Sequence, residues 1–188
     1  MREGRYSGPP ASVAEGWNLE RLTPPSRLHG ANGLAAGPDG RLWVAQVPGS
    51  QVSAIDIDSG AIETISAMGG DIVAPDDLVF DEAGNLYLTE ITEGRVCRRT
   101  PSGEVEVIHG DMPVANPITW HQGRLFAGEC RMGARIMELP LDGGAPRVIL
   151  EITERASLET VPEVHARIGA LRPVRPGASA GAVSARRW

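Results

Sequence analysis

Lysine is absent from the sequence, and all eighteen basic residues are arginine. Aspartate and glutamate outnumber them, which gives a formal net charge of −6 at pH 7. A chain with this charge has no overall attraction for nucleic acid or for an anionic membrane surface. We therefore expect neither nucleic acid nor a membrane among its partners.

Long apolar segments are also missing. No run approaches the roughly 20 apolar residues that a membrane-spanning helix requires. Residues 1–22 lack the basic-then-apolar order of a secretory signal. These absences predict a soluble protein, and we expect it to be cytoplasmic.

Only two cysteines occur, Cys97 and Cys130, which is too few for a disulfide scaffold. The repeat described below predicts that both lie on strands of neighbouring repeat units. Two interpretations stay open: separate cysteines that pack as small hydrophobic side chains, or a disulfide between the two units.

Aromatic residues are scarce at 4%, whereas glycine (23 residues) and proline (15 residues) are frequent. Both favour turns, so this composition indicates an all-β protein rather than a helical one. The sequence has no zinc-type cysteine spacing, Ser-His-Asp order or phosphate-cradling glycine loop.

The dominant feature of the sequence is a repeat of about forty residues. Its three copies start at Asn32, Asp76 and Asn116, which are separated by 44 and then 40 positions. Each copy runs into a turn that ends in glycine, which supplies the positive φ of a tight hairpin. A strand with one aromatic residue follows. The glycines are Gly40, Gly84 and Gly123, and the aromatic residues are Trp43, Tyr87 and Phe126.

Each copy continues with a third strand, a second glycine-containing hairpin and a fourth strand. Four short strands joined by hairpins are typical of one β-propeller blade. A parallel β-solenoid is the alternative, but its coils are usually shorter and need no paired hairpins. The predicted fold is therefore an all-β propeller with three recognisable four-stranded blades, at about 28–70, 71–110 and 111–151. Three blades make an incomplete ring, because propellers usually have at least four.

An N-terminal arm (1–27) precedes the blades, and a non-repeating tail (152–188) follows them. The tail contains no Asp or Asn and has six Arg against three Glu. Ser157–Ile168 is predicted to form a short helix, and the remainder is expected to be irregular. A natural extension and a frameshift or truncation both stay open, and the abrupt loss of the repeat favours the second.

The start of each innermost strand faces the central channel of a propeller, and the repeat places Asn32, Asp76 and Asn116 there. Side-chain oxygens around one axis can converge on a hard cation, and calcium takes six to eight of them. We predict all three residues as metal ligands, Asp76 also as a catalytic residue and Asn32 also as a substrate-binding residue. Asn and Asp also occur in turns without any ligand, so a purely structural role stays open.

Five further residues are singled out by position. Glu90 and Glu129 end the aromatic strand of their copies, as Gln46 does in the first copy. We predict the two carboxylates as catalytic acid/base groups, with solvated strand-end carboxylates as the alternative. His29 is predicted to bind substrate, and Asp77 is either a second ligand or a turn residue.

The segments Asn32–Ala45 and Pro75–Glu90 resemble blades of the gluconolactonase/senescence-marker-protein superfamily. The second is similar to that superfamily's proline-asparagine-aspartate blade, with Asp76 in place of the asparagine. The resemblance covers about residues 28–151. It implies a six-bladed propeller that hydrolyses lactones or organophosphate esters with a divalent metal, calcium being the expected ion, on the channel axis.

Carried onto this chain, the resemblance implies that Asn32, Asp76 and Asn116 face metal or substrate and that Asp77 supports them. One departure is Asn116-Pro117, where the superfamily has asparagine-glycine. The superfamily's later aspartate ligand would lie beyond residue 151. The strand that ends at Glu90 also resembles virginiamycin B lyase-like propellers, which open their substrate by elimination.

These features lead to three candidate functions. The first is a metal-dependent hydrolase of the lactonase or esterase type, or a truncated piece of one, that acts on a small molecule such as a lactone. The second is a streptogramin (virginiamycin B) lyase-like propeller. The third is a non-enzymatic binding propeller or an inactive fragment. We also expect self-association as a way to complete the propeller.

Overall fold

The computed structural model describes residues 13–23, 26 and 28–152, a part of the chain with twelve β-strands and no helix. Blade 1 contains β1 (Ala31–Ala36), β2 (Leu42–Gln46), β3 (Gln51–Ile55) and β4 (Ile62–Ser66). Blade 2 contains β5 (Pro75–Phe80), β6 (Leu86–Glu90), β7 (Arg95–Arg99) and β8 (Val105–His109). Blade 3 contains β9 (Ala115–His121), β10 (Arg124–Glu129), β11 (Ala134–Leu139) and β12 (Arg147–Ile152).

Each blade is an antiparallel sheet whose four strands lie side by side in chain order. The prediction of an all-β propeller with three four-stranded blades is confirmed, and the described residues do not close a ring. The predicted tail helix, Ser157–Ile168, lies outside the described residues, as does all of 153–188. Within the described ranges, no helix is long and apolar enough to cross a membrane.

The hairpin between the first two strands of each blade depends on its glycine. Gly40, Gly84 and Gly123 have φ angles of 77°, 82° and 74°, in the region that residues with a Cβ rarely adopt. In blade 3 the turn contains only Gln122 and Gly123, and Gln122 also has a positive φ of 51°. Two positive φ angles in succession are the requirement of a type I′ turn.

The first junction joins blade 1 to blade 2. Alternate side chains of a strand point to opposite faces of its sheet, so Trp43 and Ala45 on β2 face blade 2. They share a buried cluster with Leu86 and Leu88, which point back from β6. The Trp43 ring also meets the Phe80 ring edge-on, with centroids 5.2 Å apart.

The second junction joins blade 2 to blade 3 in the same way. Tyr87 on β6 faces blade 3 and stacks on Trp120 of β9, with centroids 5.5 Å apart. Its hydroxyl donates a hydrogen bond of 3.1 Å to Asp81. Burial and the neighbouring Asp81 charge raise the pKa of Tyr87 to about 12, so the phenol stays protonated and keeps this bond.

The two cysteines lie in different environments, and neither is in a disulfide. Cys97 lies on β7, and burial raises the pKa of its thiol to about 12. The prediction that Cys130 also lies on a strand is wrong, because β10 ends at Glu129. Cys130 instead begins the exposed loop that follows, where its backbone N–H donates to the Val114 carbonyl.

The inter-blade clusters should carry much of the stability. We expect Leu88→Ala, which empties a fully buried position, to lower the free energy of unfolding by about 2–5 kcal/mol. Ile57→Ala, at a side chain that is 55% exposed, should change it by less than about 0.5 kcal/mol. Urea denaturation measures both, and equal effects would contradict the assignment of Leu88 to the core.

Candidate functional site

The three rim residues of the repeat lie at equivalent places at the starts of the innermost strands. Asn32 is on β1, Asp76 on β5 and Asn116 on β9. The structure brings their side chains to one open pocket of about 300 Å³. Gly33, Leu34 and Asp77 complete its lining.

The backbone turns sharply just before each rim residue. The residue two positions earlier has a positive φ in every blade: 64° at Gly30, 44° at Ala74 and 57° at Val114. Glycine adopts such angles at no cost, whereas a β-branched residue such as Val114 is strained there. Residues held in strained conformations of this kind cluster at functional sites, and here they lie next to the rim.

Asp76 is the buried charge of the rim, with only 2% of its surface exposed. The amide nitrogen of Asn32 donates a hydrogen bond to its Oδ1. Within the described residues, no hydrogen bond reaches its Oδ2, and none reaches the amide oxygen of Asn32. Two oxygen atoms of neighbouring blades are therefore available to a ligand in the pocket.

Gly33 lets the first two inner strands approach each other closely. A Cβ at this position would lie 2.6 Å from the Asp77 Cα and 2.7 Å from the Asp76 carbonyl oxygen. Such distances require the backbone of β5 to move. This close packing was not predicted, although the Asn32-Gly33 pair, with its lack of a side chain beside the rim, was visible in the sequence.

Asp77 links blade 2 to blade 3 through hydrogen bonds. Its Oδ1 accepts a hydrogen bond of 2.9 Å from the Leu78 N–H, and its Oδ2 accepts one of 3.1 Å from the Ile118 N–H. Its own N–H donates to Thr89 Oγ1 at 3.0 Å. Because both carboxylate oxygens bind backbone of β5 and β9, Asp77 fixes Asn116 relative to Asp76 rather than acting as a second ligand.

Glu90 is buried but does not line the rim pocket. Its Oε1 accepts a hydrogen bond of 3.1 Å from the Val73 N–H, and its Oε2 forms an ion pair of 2.5 Å with Arg95 Nε. Gln46 at the same repeat position accepts the His29 N–H at 2.8 Å. Both side chains therefore tie the loop before the inner strand to its own blade.

Glu129 does not bind the loop before its inner strand as Gln46 and Glu90 do. The residue at the repeat position of His29 and Val73 is Pro113, which has no backbone N–H to donate. Glu129 instead binds Arg135, with 2.9 Å to the backbone N–H and 2.5 Å to Nη2. The predicted acid/base roles of Glu90 and Glu129 stay predictions, and their geometry favours a structural role.

His29 contributes its backbone to the structure. Its N–H donates to Gln46, and its carbonyl accepts from Gly49 at 3.3 Å. The residue is exposed and does not line the rim pocket. The structure therefore does not bring His29 to Asn32 and Asp76, and its predicted substrate contact stays a prediction.

The side-chain oxygens of the rim are the type of ligand that a hard divalent cation prefers, but they are too few to fill its coordination shell. Asn32, Asp76 and Asn116 supply three oxygen-bearing side chains and one charge, whereas calcium takes six to eight oxygens. In the described part of the chain, no three His, Cys, Asp or Glu side chains form a group that could hold a metal. The described rim therefore supplies fewer oxygen-bearing side chains than a calcium ion takes.

Comparison with known proteins identifies the fold. The chain is 24% identical to the gluconolactonase of Zymomonas mobilis, over 59% of this chain. It superposes on virginiamycin B lyase from Staphylococcus aureus with a TM-score of 0.53 and 22% identity, over 65% of this chain. A gluconolactonase from Xanthomonas campestris gives a TM-score of 0.56 with 13% identity, over 66% of this chain. No family model matches the chain.

These likenesses support a gluconolactonase-like β-propeller. The chain spans 40% of the Zymomonas protein, 41% of the lyase chain and 50% of the Xanthomonas chain. The chain therefore spans between two fifths and one half of the length of these proteins.

The role of Asp77 in linking blades 2 and 3 can be tested with Asp77→Asn. An asparagine side chain can accept a hydrogen bond from only one of the two backbone N–H groups, because its own N–H₂ group faces the other. We expect unfolding free energy to fall by about 1–3 kcal/mol. Asp58→Asn, at an exposed carboxylate of the outer hairpin, is the matched control. Equal unfolding free energies of the two variants in urea would contradict the role of Asp77 in linking the blades.

The structural role of Glu129 predicts a pH dependence. The Arg135 hydrogen bonds hold the pKa of Glu129 below its ordinary 4.5, so the ionised form stabilises the fold. This contribution is present above pH 4.5 and is lost as the pH falls through the lowered pKa. Glu129→Gln should therefore be less stable than the parent chain at pH 7, and the difference should shrink towards low pH. The exposed Glu104→Gln should show neither effect.

Proposed function

We propose that the rim of Asn32, Asp76 and Asn116 binds a divalent cation, calcium being the expected ion, in a lactonase-like hydrolase. The observation that supports this is that the buried carboxylate of Asp76 and the amide side chains of Asn32 and Asn116 line one pocket. All three occupy the same position of the repeat. A buried charge is costly unless it is compensated. Among the described residues, Asp76 receives a single side-chain hydrogen bond, from a neutral amide.

The roles of the chain's own residues follow from their contacts. Asp76 would hold the cation by charge, and the amide oxygens of Asn32 and Asn116 would be further ligands. The bound ion would supply Lewis-acid polarisation of a lactone carbonyl. Asp77 positions the third blade, and Gly33 keeps the first two inner strands close together. A pocket of about 300 Å³ is in the size range of sites for small molecules.

A streptogramin lyase-like elimination is a weaker candidate. Elimination needs a base that can reach the substrate proton. Neither His29 nor either buried glutamate lines the rim pocket, and both glutamates form ion pairs with arginine. A non-enzymatic binding propeller would keep the cation but show no turnover.

Calcium should stabilise the folded chain. At a calcium concentration of a hundred times Kd, binding adds about 2.7 kcal/mol to unfolding free energy. For a chain of this size, that raises Tm by roughly 5–10 °C. A thermal-shift titration measures this, and Asp76→Ala should lose the shift because it removes the charged ligand.

The matched control is Asp58→Ala, which removes an exposed aspartate from the hairpin between β3 and β4, at the opposite end of blade 1 from Asn32, and should keep the calcium shift. A titration without any shift in the parent chain would contradict the proposed site. Turnover of a small lactone in ¹⁸O-labelled water then separates the functions. Hydrolysis places label in the product, elimination does not, and a binding protein forms no product.

A further inference from the structure

Blade 1 contacts Asp76 at its side chain and at the loop that leads into its strand. The side-chain contact is the hydrogen bond from the Asn32 amide to Oδ1. The second contact is a hydrogen bond of 3.0 Å from the Ala74 N–H to the hydroxyl oxygen of Ser50. Ser50 lies in the turn between β2 and β3, and Ala74 is the residue before β5. Ser50 therefore links blade 1 to the segment that determines where β5 starts.

Ser50 has a backbone conformation for which the other two blades use glycine. The residue immediately before the third strand has a positive φ in every blade: 46° at Ser50, 64° at Gly94 and 67° at Gly133. Glycine adopts these angles without steric cost, whereas a Cβ makes them unfavourable. Residues held in such conformations cluster at functional sites. The serine of blade 1 is therefore strained, and its hydroxyl makes a contact that a glycine cannot make.

The loop that leads into β5, residues 71–74, is held by side chains of two blades, and we call it the entry loop. Glu90 of blade 2 accepts the Val73 N–H at 3.1 Å. Ser50 of blade 1 binds the next residue, Ala74. Ala74 is only 8% exposed, so its N–H is shielded from water and depends on this hydroxyl for a partner. The entry loop is thus fixed between blades 1 and 2.

The hydroxyl occurs at the blade junction where the rim carries its charge. Asp76 is the charged member of the rim, and it is 2% exposed. At the next junction, Val114 corresponds to Ala74 and Gly94 corresponds to Ser50, and Gly94 has no side chain that could reach Val114. A carboxylate ligand has to lie within about 2.3–2.6 Å of a calcium ion. The position of the Asp76 side chain is therefore the one that matters most for the proposed site.

Resting on the proposed function, we infer that Ser50 is a positioning residue for Asp76. Its hydroxyl fixes the entry loop against blade 1, and it thereby fixes the Asp76 carboxylate against the amide of Asn32. Asn32 and Ser50 belong to one sheet, because β1 and β3 both pair with β2. Loss of the hydroxyl lets the entry loop move relative to that sheet. It therefore weakens cation binding while every ligand side chain stays in place in the sequence.

The first experiment measures calcium binding to the full chain by isothermal titration calorimetry. Ser50→Ala removes the hydroxyl and should raise the Kd for calcium by about threefold to tenfold, the equivalent of one hydrogen bond. Ser50→Gly also removes the hydroxyl but relieves the positive φ. It should raise Kd by a similar factor and yet melt at a higher temperature than Ser50→Ala. Ser59→Ala is the matched control, because it removes a hydroxyl that accepts the Ala61 N–H in the outer hairpin of blade 1, and it should leave Kd unchanged.

The second experiment measures backbone hydrogen exchange by NMR in the absence of calcium. The N–H groups of Val73 and Asp77 lie on either side of Ala74 along the chain and are bound to side chains of blade 2. In Ser50→Ala, exchange should become faster by about threefold or more at Ala74 and also at both neighbours, because the whole entry loop is released. Faster exchange at Ala74 alone would overturn the inference, since the hydroxyl would then hold a single N–H.

The two experiments separate this inference from the proposed function. A parent chain that binds no calcium would contradict the proposed function, and the exchange rates would then decide the role of Ser50. Equal calcium affinity of the parent chain and Ser50→Ala would overturn the positioning role and leave the proposed function in place. A Kd that rises in Ser50→Ala but not in Ser50→Gly would assign the effect to the strained φ and would also overturn it. A Kd that rises in both Ser50 variants and not in Ser59→Ala supports both proposals.

Discussion

Face-to-face packing between neighbouring blades is the interaction on which the rest of this structure depends. A four-stranded sheet with apolar residues on both faces needs a partner on each side, and here the partner is the next repeat. Trp43 against Phe80 and Tyr87 against Trp120 are two versions of the same contact. Because the repeat fixes which residues meet, it also fixes where each inner strand begins and therefore where the rim residues lie.

Polar contacts refine this packing close to the rim. Asp77 spans from β5 to the backbone of β9, and Gly33 allows β1 to approach β5 without a side chain between them. The Glu90 and Glu129 ion pairs hold the neighbouring loops. The rim is thus built on rigid strands, and the one buried charge in its pocket, Asp76, is held by a neighbouring blade. This arrangement is suited to hold a cation, which is the basis of the proposed function.

The repeat in the sequence was sufficient to predict the fold, the strand order and the grouping of Asn32, Asp76 and Asn116. The repeat did not show that Asp76 lines the pocket whereas Glu90 and Glu129 form ion pairs with arginine. That distinction depends on Arg95 and Arg135, which lie across the hairpin from Glu90 and Glu129. The prediction for Cys130 failed because the strand ends one residue earlier, and the strained turn at Val114 has no signature in residue type.

The central claim is that repeat geometry gathers Asn32, Asp76 and Asn116 into a cation site. Crystals of the full chain soaked in a lanthanide, which replaces calcium among oxygen ligands, would test it by anomalous diffraction. The account predicts a peak about 2.3–2.6 Å from the carboxylate of Asp76 and the amide oxygens of Asn32 and Asn116. A map with no peak in this pocket, or with peaks only at exposed surface carboxylates, would contradict it.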